Sequence, residues 1–292
     1  MIRIAYYGTE NKKINVTDRI LQDAKLKKTI IVNNSYFGID PCPDALKKLF
    51  ITLENDKVHL YNENSLCCLE FLNEDVSKKD RIGIFYTNNN INKLIIDKSL
   101  ESIKNASEFS KNVIIIVCPQ IPYQQKYFLE VESLFKSYNH ANIASQIVQA
   151  LSIVKNYTNF KYVSFLEHDV LYPENYFAYE NFNVDCIYND NYIGLCKDGF
   201  QIKVQNDRPL HQITMNYSYA INYFEQLVLT YLRGEFKLLE PQDVCKYTNS
   251  LPSVHINHGK HFTSHFNTYS KKLIKSNDYW GDSIKYTSLF HS

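Results

Sequence analysis

Hydrophobic and polar positions alternate in two different ways along the chain, and the change falls near residues 74–80. Before that point, short apolar runs are separated by polar loops, as is typical of β-strands. The residues 16–25 fit either a short helix or a strand with a turn, and Asn55-Asp56 predicts the turn of a hairpin. The predicted strands are IRIAYYG, KKTIIVNN, KKLFITLEND, KVHLYNEN and SLCCLEFL. We therefore predict a small β-rich module over residues 1–77.

From Arg81 onwards, continuous apolar runs alternate with amphipathic segments. The runs RIGIFYT, NVIIIVCP and KYVSFLEHDV predict buried strands. Apolar residues at helical spacing predict helices over residues 91–107 and over residues 142 to about 157. This order predicts an α/β fold with a mostly parallel sheet covered by helices on both faces, over residues 78–292.

Ligands of open parallel sheets bind beyond the carboxyl ends of the strands. That rule indicates three places in this chain: Thr87-Asn88, Pro119-Gln120 and Glu167-His168-Asp169.

Composition restricts the range of functions. The formal net charge is +1, which argues against nucleic-acid binding as the main function. It does not exclude a local basic patch that binds nucleic acid. The seven cysteines form no CxxC pair, which favours reduced thiols in a cytosolic protein. The first residues lack the apolar core of a signal peptide, and the longest apolar run, residues 113–118, is too short to cross a bilayer. We expect a cytoplasmic protein without a membrane partner.

Two groups of ionisable residues are candidates for chemistry. Glu167, His168 and Asp169 end an apolar strand, where burying a charge is costly unless it is paired or bound to a metal. They form either a structural polar cluster or a site. The second group is the segment HINHGKHFTSH, which contains His255, His258, His261 and His265. These histidines either lie on a loop without a ligand or bind a metal ion. A carboxylate and a distant histidine suit Mn²⁺ or Mg²⁺, which would neutralise a leaving diphosphate.

The segment VSFLEHDVLYP resembles the metal-binding strand end of GT-A-fold glycosyltransferases, whose Asp-x-Asp motif ends in a metal-binding Asp. The resemblance implies that Asp169 is a metal ligand. Glu167 replaces the first Asp, so its implied role is open between ribose binding, metal binding and bracing of the loop. We predict that His168 either binds the nucleotide-sugar or only supports the residues that do.

Further segments resemble the same family in order, over about residues 80–268. IGIFYTNNNINKLIIDKSLESI is similar to the first β-α unit, which implies base contacts from Tyr86, Thr87 and Asn88. The helix before Glu167 implies that Asn142 or Gln146 faces the nucleotide. The segment SVHINHGKHFT resembles the loop that returns a histidine to the metal, and we assign that role to His258 because Gly259 allows close backbone approach.

The sequence gives fewer indications of the residues that bind and activate the acceptor. Glu240 and Asp243 are candidates for the base of an inverting transfer, although acids in EPQD also suit a helix N-terminus. Asp207, His211 and Gln212 could shape the sugar or acceptor pocket. Three tyrosines could stack on a sugar or a base or belong to the core, and they are Tyr217, Tyr219 and Tyr223. Trp280, in a polar C-terminal segment, suits either acceptor stacking or docking against the main domain.

The N-terminal segments YYGTENKKINVTDRI and NNSYFGIDPCPDALKKLFITL resemble a small β-rich module found beside glycosyltransferases and other enzymes in phage and bacterial proteins. The resemblance leaves packing, partner contact and acceptor contact open as its role.

Together these features predict a metal-dependent transfer of a hexose or pentose from a nucleotide-sugar, with UDP-sugar as the expected donor. The acceptor is a hydroxyl group, either on a hydroxymethylated DNA base of a phage, which would locate the protein in the host cytoplasm, or on a glycan or protein. Two other classes stay open: a metal-dependent hydrolase or nuclease, and an inactive sugar- or nucleotide-binding module.

Overall fold

The computed structural model describes residues 1–26, 28–72, 79–87, 91–119, 140–154, 160–179, 184–203, 208–257 and 269–290. These residues form a mixed α/β protein with several sheets.

The first 72 residues form two small antiparallel sheets and two helices. The larger sheet has the strand order β2-β1-β4-β5, and the smaller one pairs β3 with β6. The elements are β1 (Ile2–Gly8), β2 (Lys13–Asn15), α1 (Thr17–Lys25), β3 (Thr29–Ile31), α2 (Asn34–Phe37), β4 (Lys48–Leu53), β5 (Val58–Asn62), β6 (Leu66–Cys68) and a 3-10 helix (Leu69–Leu72).

Each predicted strand contains a strand in the structure, and the ambiguous segment 16–25 is the helix α1. In SLCCLEFL only Leu66–Cys68 is a strand, and Leu69–Leu72 forms a 3-10 helix. The predicted hairpin turn joins β4 to β5, with Asp56 at a φ of 62°. One hydrophobic core lies entirely within residues 2–72, and Tyr7, Leu49 and Ile51 are among its buried members. The predicted boundary at residues 77–78 lies outside the described residues, so the division into two domains stays a prediction.

The rest of the chain alternates strands and helices as far as β9 and then becomes richer in strands. Its helices and strands are β7 (Arg81–Thr87), α3 (Lys93–Ser110), β8 (Val113–Pro119), α4 (His140–Val154), β9 (Tyr162–Glu167), β10 (Val170–Leu171), β11 (Cys186–Asn189), β12 (Tyr192–Cys196), β13 (Gly199–Lys203), β14 (Ile213–Asn216), α5 (Tyr217–Leu232), β15 (Cys245–Tyr247), β16 (Ser253–Ile256), β17 (Tyr269–Ile274), β18 (Ser276–Asn277) and β19 (Gly281–Asp282). Two 3-10 helices span Leu210–Gln212 and Ser283–Phe290.

The central sheet has the strand order β15-β11-β14-β9-β7-β8. The strands β7, β8 and β9 are parallel neighbours, as predicted. β14 runs antiparallel to both β9 and β11, whereas β15 is parallel to β11. All the strands of this sheet except β14 therefore point the same way, so a mostly parallel sheet is confirmed.

Helices cover both faces of this sheet. Successive residues of a strand point to opposite faces, so the neighbours of alternate β7 residues show which helices lie on each face. On one face, Ile82, Ile84 and Tyr86 of β7 pack in the core that contains residues of α4 and α5. On the other face, Phe85 packs with Ile96 and other residues of α3.

A second sheet, β10-β16-β12-β13-β17, lies beside α3. The C-terminal segment packs against this sheet. The indole of Trp280 contacts its core, and Nε1 donates to the carbonyl of Pro252 at 2.8 Å. Of the two interpretations of Trp280, the structure therefore favours docking against the main domain. Among the described residues, no helix is long and apolar enough to cross a membrane.

Candidate functional site

Polar side chains converge at the carboxyl edge of the central sheet. β7 ends at Thr87 and β9 ends at Glu167, and the parallel register that pairs Tyr86 with Glu167 brings these ends together. β14 runs the other way, so the residues that precede it, His211 and Gln212, lie at the same edge. Of the predicted strand-end residues, Asn88 and Gln120 lie outside the described residues.

Glu167 is held at this edge by two side-chain hydrogen bonds and one backbone hydrogen bond. Its Oε2 lies 2.8 Å from Nδ1 of His211, and its Oε1 accepts a hydrogen bond from the Tyr86 hydroxyl at 2.5 Å. Its backbone N–H donates to the Tyr172 hydroxyl at 2.7 Å. An ionised carboxylate can only accept hydrogen bonds, so Nδ1 of His211 carries the proton. Each carboxylate oxygen of Glu167 is thus hydrogen-bonded to a neighbouring side chain.

Burial and hydrogen bonding act in opposite directions on these groups. Burial alone would raise the pKa of Glu167, but His211 and the Tyr86 hydroxyl stabilise the carboxylate and lower its pKa below the usual range. Burial lowers the pKa of His211, against the effect of Glu167, so its imidazole is neutral at pH 7. Burial, followed by the charge of Glu167, raises the pKa of Tyr86 well above its usual value, so the phenol stays protonated.

Asp169 forms the second pair of the site. The short strand β10 pairs with β16, which sets Val170 opposite His255. Nε2 of His255 lies 3.4 Å from Oδ2 of Asp169, and both residues are buried. The rings of His255 and His211 are 5.3 Å apart between centroids, so the two pairs are adjacent.

The predicted metal partner of Asp169, His258, lies outside the described residues, as do His261 and His265. The structure brings Asp169 to His255, the first histidine of the same segment. Within the described part of the chain, no group of three or more His, Cys, Asp or Glu side chains is arranged to hold a metal ion.

Most of the residues predicted to contact the nucleotide lie at the ends of β7 and β9 and on the first turns of α4. Nδ1 of His168 lies 2.8 Å from Oγ1 of Thr87. Asn142 is buried near the start of α4. The amide of Gln146 donates to the carbonyls of Cys118 and Thr87, at 3.1 and 3.4 Å. Gln146 therefore holds two strand ends together through its amide nitrogen.

His211 and Gln212 are buried at 0% and 1% exposure, so they are not surface residues of an open pocket. Oε1 of Gln212 accepts from the Asn189 amide at 3.0 Å. Nε2 of His211 and Nε2 of Gln212 are buried and have no hydrogen-bond partner among the described residues. Buried polar atoms of this kind call for a water or a ligand.

The two candidate bases occupy different surroundings. Neither Glu240 nor Asp243 begins a helix in the structure, because the next regular element is the strand β15. Glu240 is partly buried, and its charge contributes to the raised pKa values of Tyr86 and of Tyr223. Asp243 is exposed, and its charge contributes instead to the raised pKa of Cys186. Of the two candidates, Glu240 is therefore the one whose charge contributes to the pKa of Tyr86.

The aromatic stripe of α5 packs against the protein core. Tyr217, Tyr219 and Tyr223 are partly buried against the core beneath the helix, and the rings of Tyr219 and Tyr223 stack at 5.9 Å. The interpretation of these residues as core is therefore the one that the structure favours. Asp207 lies outside the described residues.

Sequence reasoning missed the residues that hold the loop after β9. The Ser99 hydroxyl of α3 lies within hydrogen-bonding distance of the carbonyls of Glu167, at 3.0 Å, and Val170, at 2.7 Å. Tyr172, whose hydroxyl accepts a hydrogen bond from the backbone N–H of Glu167, was not identified either. A small polar residue on the buried face of an amphipathic helix, as at Ser99, is a signal that could have been noticed.

Comparisons with known proteins add little. No protein-family model and no curated protein sequence matches the chain. Among solved structures, the chain is similar to a glycosyltransferase involved in the glycosylation of the major capsid of PBCV-1, with 8% sequence identity and a TM-score of 0.36. The match covers 60% of this chain and 91% of that one. At this TM-score the similarity establishes neither a shared fold nor a shared function.

Proposed function

We propose that the protein is a glycosyltransferase of the GT-A type that transfers a sugar from a nucleotide-sugar to a hydroxyl group. The observation that carries the proposal is the pairing of Asp169 with His255 beside the Glu167–His211 pair, at the carboxyl edge of a mostly parallel sheet. Ligands of such sheets bind at this edge, and the site combines carboxylate and imidazole groups in a buried setting.

The Asp169–His255 pair fits a divalent cation. Two neighbouring ligands that each lie about 2.1 Å from an octahedral ion are separated by about 3.0 Å. Oδ2 of Asp169 and Nε2 of His255 are 3.4 Å apart, about 0.4 Å more than this spacing, so a small approach of the two side chains would allow both to bind one ion. A bound Mn²⁺ or Mg²⁺ would neutralise the charge that develops on the departing nucleoside diphosphate.

The other residues of the edge hold the donor and the loop. The strand end at Tyr86 and Thr87, with His168, borders the nucleotide, and Asn142 approaches it from the start of α4. Glu167 stays ionised and fixed by His211 and Tyr86, so it acts as a rigid hydrogen-bond acceptor, with the ribose hydroxyls as its proposed partners. We infer UDP-sugar as the donor.

The proposed base is Glu240. An inverting transfer requires a carboxylate that accepts the proton of the attacking hydroxyl. Glu240 is partly buried and its charge contributes to the raised pKa of Tyr86, whereas Asp243 is exposed and its charge contributes to the raised pKa of Cys186. The proposed acceptor is a hydroxymethylated base of DNA or a glycan or protein hydroxyl.

Thermal unfolding with nucleotide-sugars, with and without Mn²⁺, tests this proposal. We expect a nucleoside diphosphate or its sugar to raise the Tm only when Mn²⁺ is present, because a ligand that binds the native state alone stabilises it. Asp169→Asn should remove that shift, and Asp198→Asn, in an exposed turn, should keep it.

Release of free sugar or transfer to an acceptor, measured with the same donors, separates an enzyme from an inactive binding module. If no nucleotide changes the Tm in the presence of Mn²⁺, the proposal is wrong.

A further inference from the structure

The outer face of the N-terminal sheet carries an aromatic and basic surface that the proposed transferase chemistry does not use. The inner face of this sheet packs on the N-terminal core through Ala5, Tyr7, Leu49 and Ile51. Residues that alternate with these along β1 and β4 point the other way. Their outward side chains include Tyr6 and Phe50, which are only partly buried.

The strand register places the two rings side by side. Tyr6 of β1 is the direct partner of Phe50 of β4, so the rings stand on neighbouring strands of the same face. The next outward pair, Thr52 and Val58, continues this face across β4 and β5, and Val58 is exposed.

Lysines adjoin the rings. Nζ of Lys13 lies 5.0 Å from the centroid of the Tyr6 ring and 5.1 Å from that of Phe50. Gly8 pairs with Lys13 on one side and with Lys48 on the other, so both lysines stand next to the aromatic pair. Lys12 is exposed in the turn before β2.

Carboxylates are absent from the outward register positions of the described strands β1, β2, β4 and β5. These positions hold Ile4, Tyr6, Gly8, Lys13, Asn15, Lys48, Phe50, Thr52, Val58, Leu60 and Asn62. Glu10, in the turn between β1 and β2, is the nearest acid in sequence to Lys12 and Lys13. The face is therefore locally basic in a chain whose net charge is only +1.

We propose that this face, defined by Tyr6, Phe50, Lys13 and Lys48, binds single-stranded nucleic acid. Proteins that bind single strands without strong sequence preference combine aromatic rings, on which bases stack, with cations that follow the phosphates. Charge complementarity selects this occupant over a neutral glycan, because two ammonium groups adjoin the rings and the face itself offers no carboxylate. The inference is independent of the transfer reaction at the sheet edge.

Fluorescence anisotropy of the full-length protein with a fluorescein-labelled oligothymidylate of about 15 nucleotides tests the proposal. We expect binding that weakens with salt, with a slope of log K against log salt concentration of about −1.4 for two phosphate contacts. Lys13→Ala should reduce the magnitude of that slope by about 0.7. Lys25→Ala removes the same charge from the exposed end of α1 and should leave both the affinity and the slope unchanged.

Phe50→Leu separates stacking from charge, because it keeps an apolar side chain but removes the ring. We expect its affinity for the oligonucleotide to fall by about tenfold or more. The Tm of each variant, measured without ligand, verifies that it is folded, and Phe50→Tyr should restore binding. A nucleotide-sugar Tm shift that persists in Phe50→Leu would show that the donor site is intact.

Three results would overturn the proposal. They are failure of the wild-type protein to bind the oligonucleotide at low salt, retention of wild-type affinity by folded Phe50→Leu, and tighter binding of an uncharged oligosaccharide than of the oligonucleotide. The second result would mean that any binding arises from charge alone.

Discussion

Nδ1 of His211 donates a hydrogen bond of 2.8 Å to Oε2 of Glu167, and this pair joins the segment before β14 to the end of β9. The two residues are separated by 44 positions in sequence. The imidazole is 1% exposed and the carboxylate 27%, so the charge of Glu167 depends on this donor and on Tyr86. Removing the donor leaves a largely buried carboxylate with fewer partners.

We predict that His211→Ala lowers the free energy of unfolding by about 2–4 kcal/mol, through the lost partner and the cavity together. Tyr86→Phe, which removes only the second donor to Glu167, should cost about 1–2 kcal/mol. Urea denaturation at pH 7 measures both. A His211→Ala protein as stable as the wild type would show that the pair does not hold the site.

The second prediction concerns the histidine that accompanies Asp169. If Asp169 and His255 share a cation, His255→Ala should weaken Mn²⁺ binding by at least about tenfold. The concentration of free Mn²⁺, followed by electron paramagnetic resonance, gives the affinity directly. His59→Gln, in the N-terminal sheet, is the control and should bind Mn²⁺ normally. Unchanged Mn²⁺ affinity in the His255→Ala protein would instead leave His258 as the candidate ligand.

The strands that form the centre of the sheet could be predicted because their signal is local. RIGIFYT and NVIIIVCP are continuous apolar runs, and parallel strands buried on both faces require such runs. The polar triplet at the end of β9 could likewise be identified as a candidate site from the cost of burying its charges.

The partners of that triplet could not be predicted from local pattern. His255 reaches Asp169 only because the two-residue strand β10 pairs with β16, a contact between segments about 85 residues apart. His211 reaches Glu167 only because β14 runs antiparallel between β9 and β11. Strands of two to four residues carry too little periodicity to reveal such pairings.

The third prediction separates the two candidate bases. Glu240→Gln should lower kcat by about 10²–10⁴-fold for an inverting transfer, because the acceptor hydroxyl loses its proton acceptor, while donor affinity stays unchanged. Asp243→Asn should alter kcat by no more than a few fold, because Asp243 is exposed and lies near Cys186. Steady-state kinetics with a purified donor and acceptor measures both. Full activity in Glu240→Gln would exclude this residue as the base.

The last prediction concerns the N-terminal sheet and pH. Burial, assisted by the charge of Lys57, lowers the pKa of His59 to about 4. The unfolded chain has an ordinary histidine pKa of about 6.5, so between these values the unfolded state binds a proton that the native state does not. The contribution of His59 to stability is thus fully present above about pH 6.5 and is lost as the pH falls towards 4. We expect a loss of about 2–3 kcal/mol over that interval.

Urea denaturation of the wild type and of His59→Gln at a series of pH values isolates this contribution as the difference between the two curves. Lys57→Gln provides a matched second variant. Removing that cation raises the native pKa of His59, so it should narrow the pH interval without abolishing the effect. Parallel curves for the wild type and His59→Gln between pH 4 and 6.5 would mean that His59 is protonated equally in the native and unfolded states, contrary to its burial on the inner face of β5.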